Sequence, residues 1–155
     1  MKTSTTEMVL DFLRKEGFCP DVQDNGNVVF KYQMSLFLYV DNSEDEEFFQ
    51  LIMPAICDVT EDNREIMLEA VNKLNFNMKV VKATIYNDEV WLFFENILDN
   101  SPEVGDIIRR ALSALQGARH KFYEIIKKKT IFTDSFLFYC DNNKIRGTCL
   151  PFQIA

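Results

Sequence analysis

The chain has 155 residues, near the common size of one domain, with 47% hydrophobic, 26% charged and 13% aromatic residues, the composition of a globular protein that buries a core. Its net charge of −7 repels a phosphate backbone, and the one basic run, Lys127-Lys128-Lys129, closes a predicted helix where it meets the negative end of the helix dipole. A nucleic-acid-binding role is not expected. Residues 1–7 are polar and lack the apolar stretch of a signal peptide, and no apolar run approaches the roughly 20 residues that span a bilayer. The expectation is a cytoplasmic protein without a membrane partner.

A helix is predicted over 6–16. Ser4 and Glu7 stand in capping-box spacing, Met8, Val9, Phe12 and Leu13 form its apolar face, and Gly17 suits a left-handed cap ahead of Phe18. Asp24-Asn25-Gly26 is turn chemistry, leading into strands over 28–32, 35–40 and 48–53, the last ended by Pro54. Short connections between them imply an antiparallel meander. Asp62 with Glu65 marks a second helix, whose apolar stripe is Met67, Ala70, Val71 and Leu74 and which Asn75 or Asn77 can end. Strands over 78–86 and 89–97 follow, joined by Asn87-Asp88, a tight-hairpin signal.

Ser101-Pro102 reads as the cap and first turn of a long third helix. Val104, Ile108, Ala111, Leu115, Ala118, Phe122 and Ile125 alternate steps of four and three, as in a coiled coil. Ile107, Leu112 and Ile126 widen that stripe and favour a helix lying along a sheet. Residues 136–150 read as a hairpin, so the chain divides into a domain over 1–130 and a C-terminal extension over 131–155 packed on it. The fold class is α+β, a five-stranded antiparallel sheet with about three helices in the order α-β-β-β-α-β-β-α, plus the extension.

The motifs of common active sites are missing. His120 is the single histidine, so a Ser-His-Asp or Cys-His unit would have to use it, and a lone histidine in a helix reads as a surface residue; with no clustered cysteines beside it, a structural zinc site lacks ligands. The segment from Asp21 places Gly26 at the sixth position of a calcium loop, but Tyr32 stands at the twelfth, where a bidentate Glu is required. Neither G-x-x-x-x-G-K, G-x-G-x-x-G nor G-x-S-x-G occurs. Cys19, Cys57, Cys140 and Cys149 form no C-x-x-C pair and read as free thiols, with a Cys140–Cys149 bridge across the hairpin left open. No catalytic residue, cofactor or metal ligand is therefore expected.

Several strands are apolar on both faces, unlike a sheet with one wet side. Leu36, Leu38 and Val40 oppose Phe37 and Tyr39, and Val90, Leu92 and Phe94 oppose Trp91 and Phe93. Rows of aromatics on a second face need cover from the C-terminal extension, a second copy or a client segment. Phe37, Tyr39, Trp91 and Phe93 are the candidate partner-binding residues.

The element order, with the text that fills it, resembles the YbjN-like bacterial family. The matching segments are Leu13 to Phe18, Val29-Phe30-Lys31-Tyr32, and Asp41 with the acidic loop before Phe48-Phe49. Leu51 to Pro54, Asn72-x-x-Asn75 running into Lys79-Val80, Val90-Trp91 ending in Glu95, and the helix from Pro102 complete them, covering about the first 128 residues. The resemblance implies the fold of type III secretion chaperones, which are dimers that bind extended segments of secreted clients. Members of the family are described as candidate sensory-transduction regulators, and no catalytic residues belong to its motif. The implied function is a non-enzymatic, chaperone-like or regulatory protein-binding domain that forms a homodimer and holds a partner segment on apolar surface. A small-molecule sensor with an aromatic pocket near Trp91 is the alternative, and an enzyme without a familiar motif is the third reading.

Overall fold

The computed structural model describes residues 4–45 and 47–130. The extension over 131–155, its expected hairpin, and Cys140 and Cys149 lie outside the described residues.

The first helix, α1 (Thr5–Lys15), starts at a complete capping box: the Ser4 hydroxyl accepts from the Glu7 amide at 3.2 Å, and the Ser4 amide donates to Glu7 Oε2 at 3.1 Å. It ends in a Schellman motif, with Phe18 N bonded to Leu13 O and Gly17 N to Arg14 O while Gly17 takes φ +82°. Phe18 then packs edge-on against Phe30 and Tyr32.

Six strands follow within one sheet, β1 (Asp21–Val22), β2 (Val28–Tyr32), β3 (Ser35–Tyr39), β4 (Phe48–Asp58), β5 (Val81–Tyr86) and β6 (Glu89–Ile97). Their spatial order is β1-β2-β3-β4-β6-β5, antiparallel throughout. The expected count was five. The sixth strand is β1, two residues long and too short to show a period, held to Val28 and Val29 by the turn at Gly26. Gln33-Met34 and Asn87-Asp88 all take positive φ, the two-residue hairpin turn whose twist matches its strands.

Strand β4 does not stop at Pro54, as expected, but runs on to Asp58. Its register with β6 slips between Met53 and Cys57, and Ala55 takes φ 51°. Proline is tolerated because β3 pairs with β4 only at Ile52 and Leu51, so no ladder bond is asked of Pro54 on that side.

Two helix starts also differ from expectation. Helix α2 (Arg64–Asn77) begins after Asn63, not at Asp62. The buried Asn63 amide spends itself on the preceding turn, accepting from Thr60 N at 2.8 Å and donating to Asp58 O. Helix α3 (Val104–Thr130) begins two residues after Pro102, with Glu103 O receiving the amides of Asp106 and Ile107.

The three described helices lie on one face of the sheet. The α3 seam from Val104 to Ile125 is buried at every position, and Leu112 and Ile126 join it, so α3 is a sheet-packed helix. Its last turns are fixed by Tyr123, which donates to Ile56 O at 2.6 Å, and by an ion pair between Lys129 and Glu69 of α2. Burying residues such as Phe122, Leu115 and Ile108 completely contributes roughly 1.5–3 kcal/mol each before chain entropy is charged.

Candidate functional site

Strand parity separates two apolar faces. Phe30, Phe37, Tyr39, Leu51, Leu92 and Phe94 point at the helices and belong to the main core. Val29, Leu38, Val40, Ile52, Trp91 and Phe93 form a second cluster, to which none of the described helices contributes a residue.

The register makes this second cluster a continuous row. Val29 pairs with Leu38, Leu38 with Ile52, Ile52 with Phe93, and Phe93 with Lys82, so directly opposed side chains cross five strands. Val40 and Trp91 flank the row. One border is polar: Lys82 Nζ lies 5.3 Å from the Phe93 ring centre and 2.6 Å from Glu95 Oε1, which also accepts from Gln50 at 2.9 Å. The other border carries Trp91, whose indole N–H donates to Glu89 at 3.2 Å and whose ring meets Tyr86 edge-on.

The four expected partner-binding residues therefore divide between the faces. Trp91 and Phe93 stand on the second face. Phe37 and Tyr39 stand on the helix side at 0% and 1% exposure, Phe37 stacked on Phe30 at 5.6 Å and Tyr39 against Phe49 at 5.5 Å. A partner could reach those two only by opening the core. Leu38, Val40, Ile52 and Val29 were readable as apolar but not as companions of Trp91, because that depends on the β3-β4-β6 register.

Tyr39 also anchors the N-terminal helix. Its hydroxyl lies 3.3 Å from the Thr6 hydroxyl, which is 2.6 Å from Asp41 Oδ1. Burial pushes the Tyr39 hydroxyl above its ordinary range, and the Asp41 charge adds to the same shift.

A cleft of about 500 Å³ opens between α1, α3 and the β2–β3 turn. Phe12, Phe18 and Tyr32 supply aromatic wall, and Arg109 lies over the Phe12 ring at 4.9 Å while pairing with Glu16 and Asp106. Gly105 lets the helices close, since a Cβ there would stand 2.8 Å from Phe12 Cδ2. Gln116 also lines the cleft, and its Nε2 is buried without a hydrogen-bond partner among the described residues.

Among the described residues no three His, Cys, Asp or Glu side chains gather where a metal ion could be held. His120 is exposed on α3, Cys19 is exposed and Cys57 is buried. No described helix is long and apolar enough to cross a membrane.

An antiparallel sheet with the described helices on one face defines an α+β domain. The chain is similar in structure to YbjN from E. coli, described as a candidate transcription regulator, at 9% sequence identity and a TM-score of 0.56, over 82% of this chain and 92% of that one. Likeness at that identity is likeness of fold. No family model matches the chain, and no curated protein matches it.

Proposed function

We propose that this chain is a non-enzymatic regulatory domain of the cytoplasm that binds a partner protein, holding an extended segment of it on the second face of the sheet. The observation that carries the reading is the uninterrupted row Val29-Leu38-Ile52-Phe93, flanked by Val40 and Trp91, on a face to which none of the described helices contributes. The half-buried Val29 and Phe93 are the members of that row open to contact, while Lys82, Glu95 and Glu89 at its borders supply register. The fold of YbjN, itself described as a candidate regulator, supports a regulatory role.

The test compares proteins captured from source extract by the wild-type chain, by Phe93→Lys and by Phe76→Ser, a control at a residue 89% exposed on α2. A protein retained by wild type and control but lost from Phe93→Lys supports the reading. Identical captures by all three would end it. A homodimer belongs to the same proposal, and sedimentation of the purified chain checks it.

A second reading, a small-molecule sensor, is favoured by one feature, the aromatic-walled cleft beside Gln116, whose buried Nε2 has no hydrogen-bond partner among the described residues. The cleft suits a small molecule with an apolar ring and a carbonyl or carboxylate acceptor. A metabolite that raises the melting temperature of wild type in a saturable way, but not that of Gln116→Leu, would establish it.

A further inference from the structure

The side of α3 that faces the cleft carries hydrogen-bond donors short of acceptors. Gln116 lines the cleft at 9% exposure, and its buried Nε2 has no hydrogen-bond partner among the described residues. Arg119 stands three residues further on, on the same side of the helix. It is half-buried, whereas the other described arginines are exposed, and no described carboxylate pairs with it. Its Nη1 donates to Ser35 Oγ at 2.6 Å, which occupies one of the five N–H donors of a guanidinium. A buried amide and a half-buried cation, side by side, call for a shared acceptor. We infer, resting on the small-molecule reading of this cleft, that it binds an aromatic monocarboxylate whose carboxylate lies between Gln116 Nε2 and the Arg119 guanidinium.

The lining sets the ligand's orientation and its charge. Gln33 lines the cleft, and its carbonyl accepts from Ser35 Oγ at 3.5 Å, so Arg119, bonded to Ser35, closes the end at the β2–β3 turn. Arg109 marks the other end, about 15 Å earlier along the α3 axis. Charge is already balanced there, because Arg109 bonds both Glu16 and Asp106 and lies over the Phe12 ring. A second negative group on the ligand would meet Glu16 and Asp106, so one charge is accommodated and two are not. Between the ends, Phe12, Phe18 and Tyr32 offer aromatic wall, and about 500 Å³ holds a small ring system. A carboxylate surpasses a neutral carbonyl in this place because its two oxygens can serve the guanidinium and the amide together, with charge assistance.

The test uses phenylacetate and indole-3-acetate, each set against its neutral amide. Melting temperature reports binding, and the side-chain amide resonances of Gln116 in an isotope-labelled sample report its place. In wild type the two acids are expected to raise the melting temperature saturably and to move the Gln116 resonances. Their apparent dissociation constants should lie at least about tenfold below those of the amides, the margin of a charge-assisted over a neutral hydrogen bond. Arg119→Met is expected to abolish that margin while the amides still bind, and Arg119→Lys to restore part of it.

Acids and amides that bind wild type alike would overturn the carboxylate and leave the small-molecule reading standing. No response to any of the four probes would overturn both. A change in melting temperature without movement of the Gln116 resonances would place the acid elsewhere on the protein and count equally against the inference. The comparison of acid with amide is made on wild type, so it decides the matter even if Arg119→Met does not fold.

Discussion

The side-chain amide of Asn75 grips the backbone of Ala83 from both sides. Asn75 Nδ2 donates to Ala83 O at 3.1 Å, and Ala83 N donates to Asn75 Oδ1 at 2.7 Å. Ala83 lies in β5, the edge strand next to β6, so its outward N–H and C=O would otherwise be free to pair with another chain. The amide thus stands in for one residue of a neighbouring strand and ties α2 to the sheet. Asn75→Ala is expected to lower unfolding free energy by roughly 1–2 kcal/mol, because two partly solvated bonds are lost. It should also speed hydrogen exchange at the Ala83 amide, while Asn72→Ala, on the exposed side of α2, leaves both unchanged.

The sequence shows Asn75 only as a residue able to end a helix; that its amide meets a strand eight residues later follows from packing. The same divide runs through the molecule. The α1 caps and the α3 stripe were legible because they depend on neighbours within a turn or two. Strand β1 and the course of β4 past Pro54 were not, since both depend on what lies opposite. The candidate site suffered most. With both faces of β3 and β6 apolar, alternation states that two faces exist but not which one meets the helices. Alternation alone therefore leaves Phe37 and Tyr39 grouped with Trp91 and Phe93, and the cross-strand pairs Leu38–Ile52 and Ile52–Phe93 separate them.

Tyr39 sets a pH limit on stability. Its folded-state pKa is raised above 10.0, first by burial and further by Asp41, so the folded state holds the phenol proton more tightly than the unfolded chain. That contribution is fully present below pH 10 and is lost as pH rises through the folded value. Urea unfolding between pH 8 and 11 should show wild type losing stability relative to Tyr39→Phe at the alkaline end, by about 1.4 kcal/mol for every tenfold difference in proton affinity between the folded and unfolded phenol. Parallel curves for the two proteins would deny the effect.

Two glycines with the same backbone sign should respond differently to alanine. Gly17 at φ +82° has open space where a Cβ would stand, so Gly17→Ala costs only the left-handed conformation, about 1–2 kcal/mol. At Gly26, φ +84°, a Cβ would stand 2.6 Å from Asp41 Oδ2, and Asp41 is held by Thr6 and by Asn27. Gly26→Ala should therefore destabilise more than Gly17→Ala in thermal melts and disturb the Thr6–Asp41 contact. Equal losses would mean that the β1–β2 turn gives way freely.

Gln116 offers a stabilising substitution. A buried amide donor without a partner costs about 1–3 kcal/mol, whereas an apolar side chain of similar size in the same place carries no such cost. Gln116→Leu is thus expected to raise the melting temperature, with Leu112 and Phe12 nearby to receive it. The same change would abolish any ligand response of the α1–α3 cleft, so stability and ligand response move in opposite directions if the amide is kept for binding. A melting temperature lowered by Gln116→Leu would show that Nε2 is satisfied in solution, and the cleft would then lose the one feature that favours ligand binding.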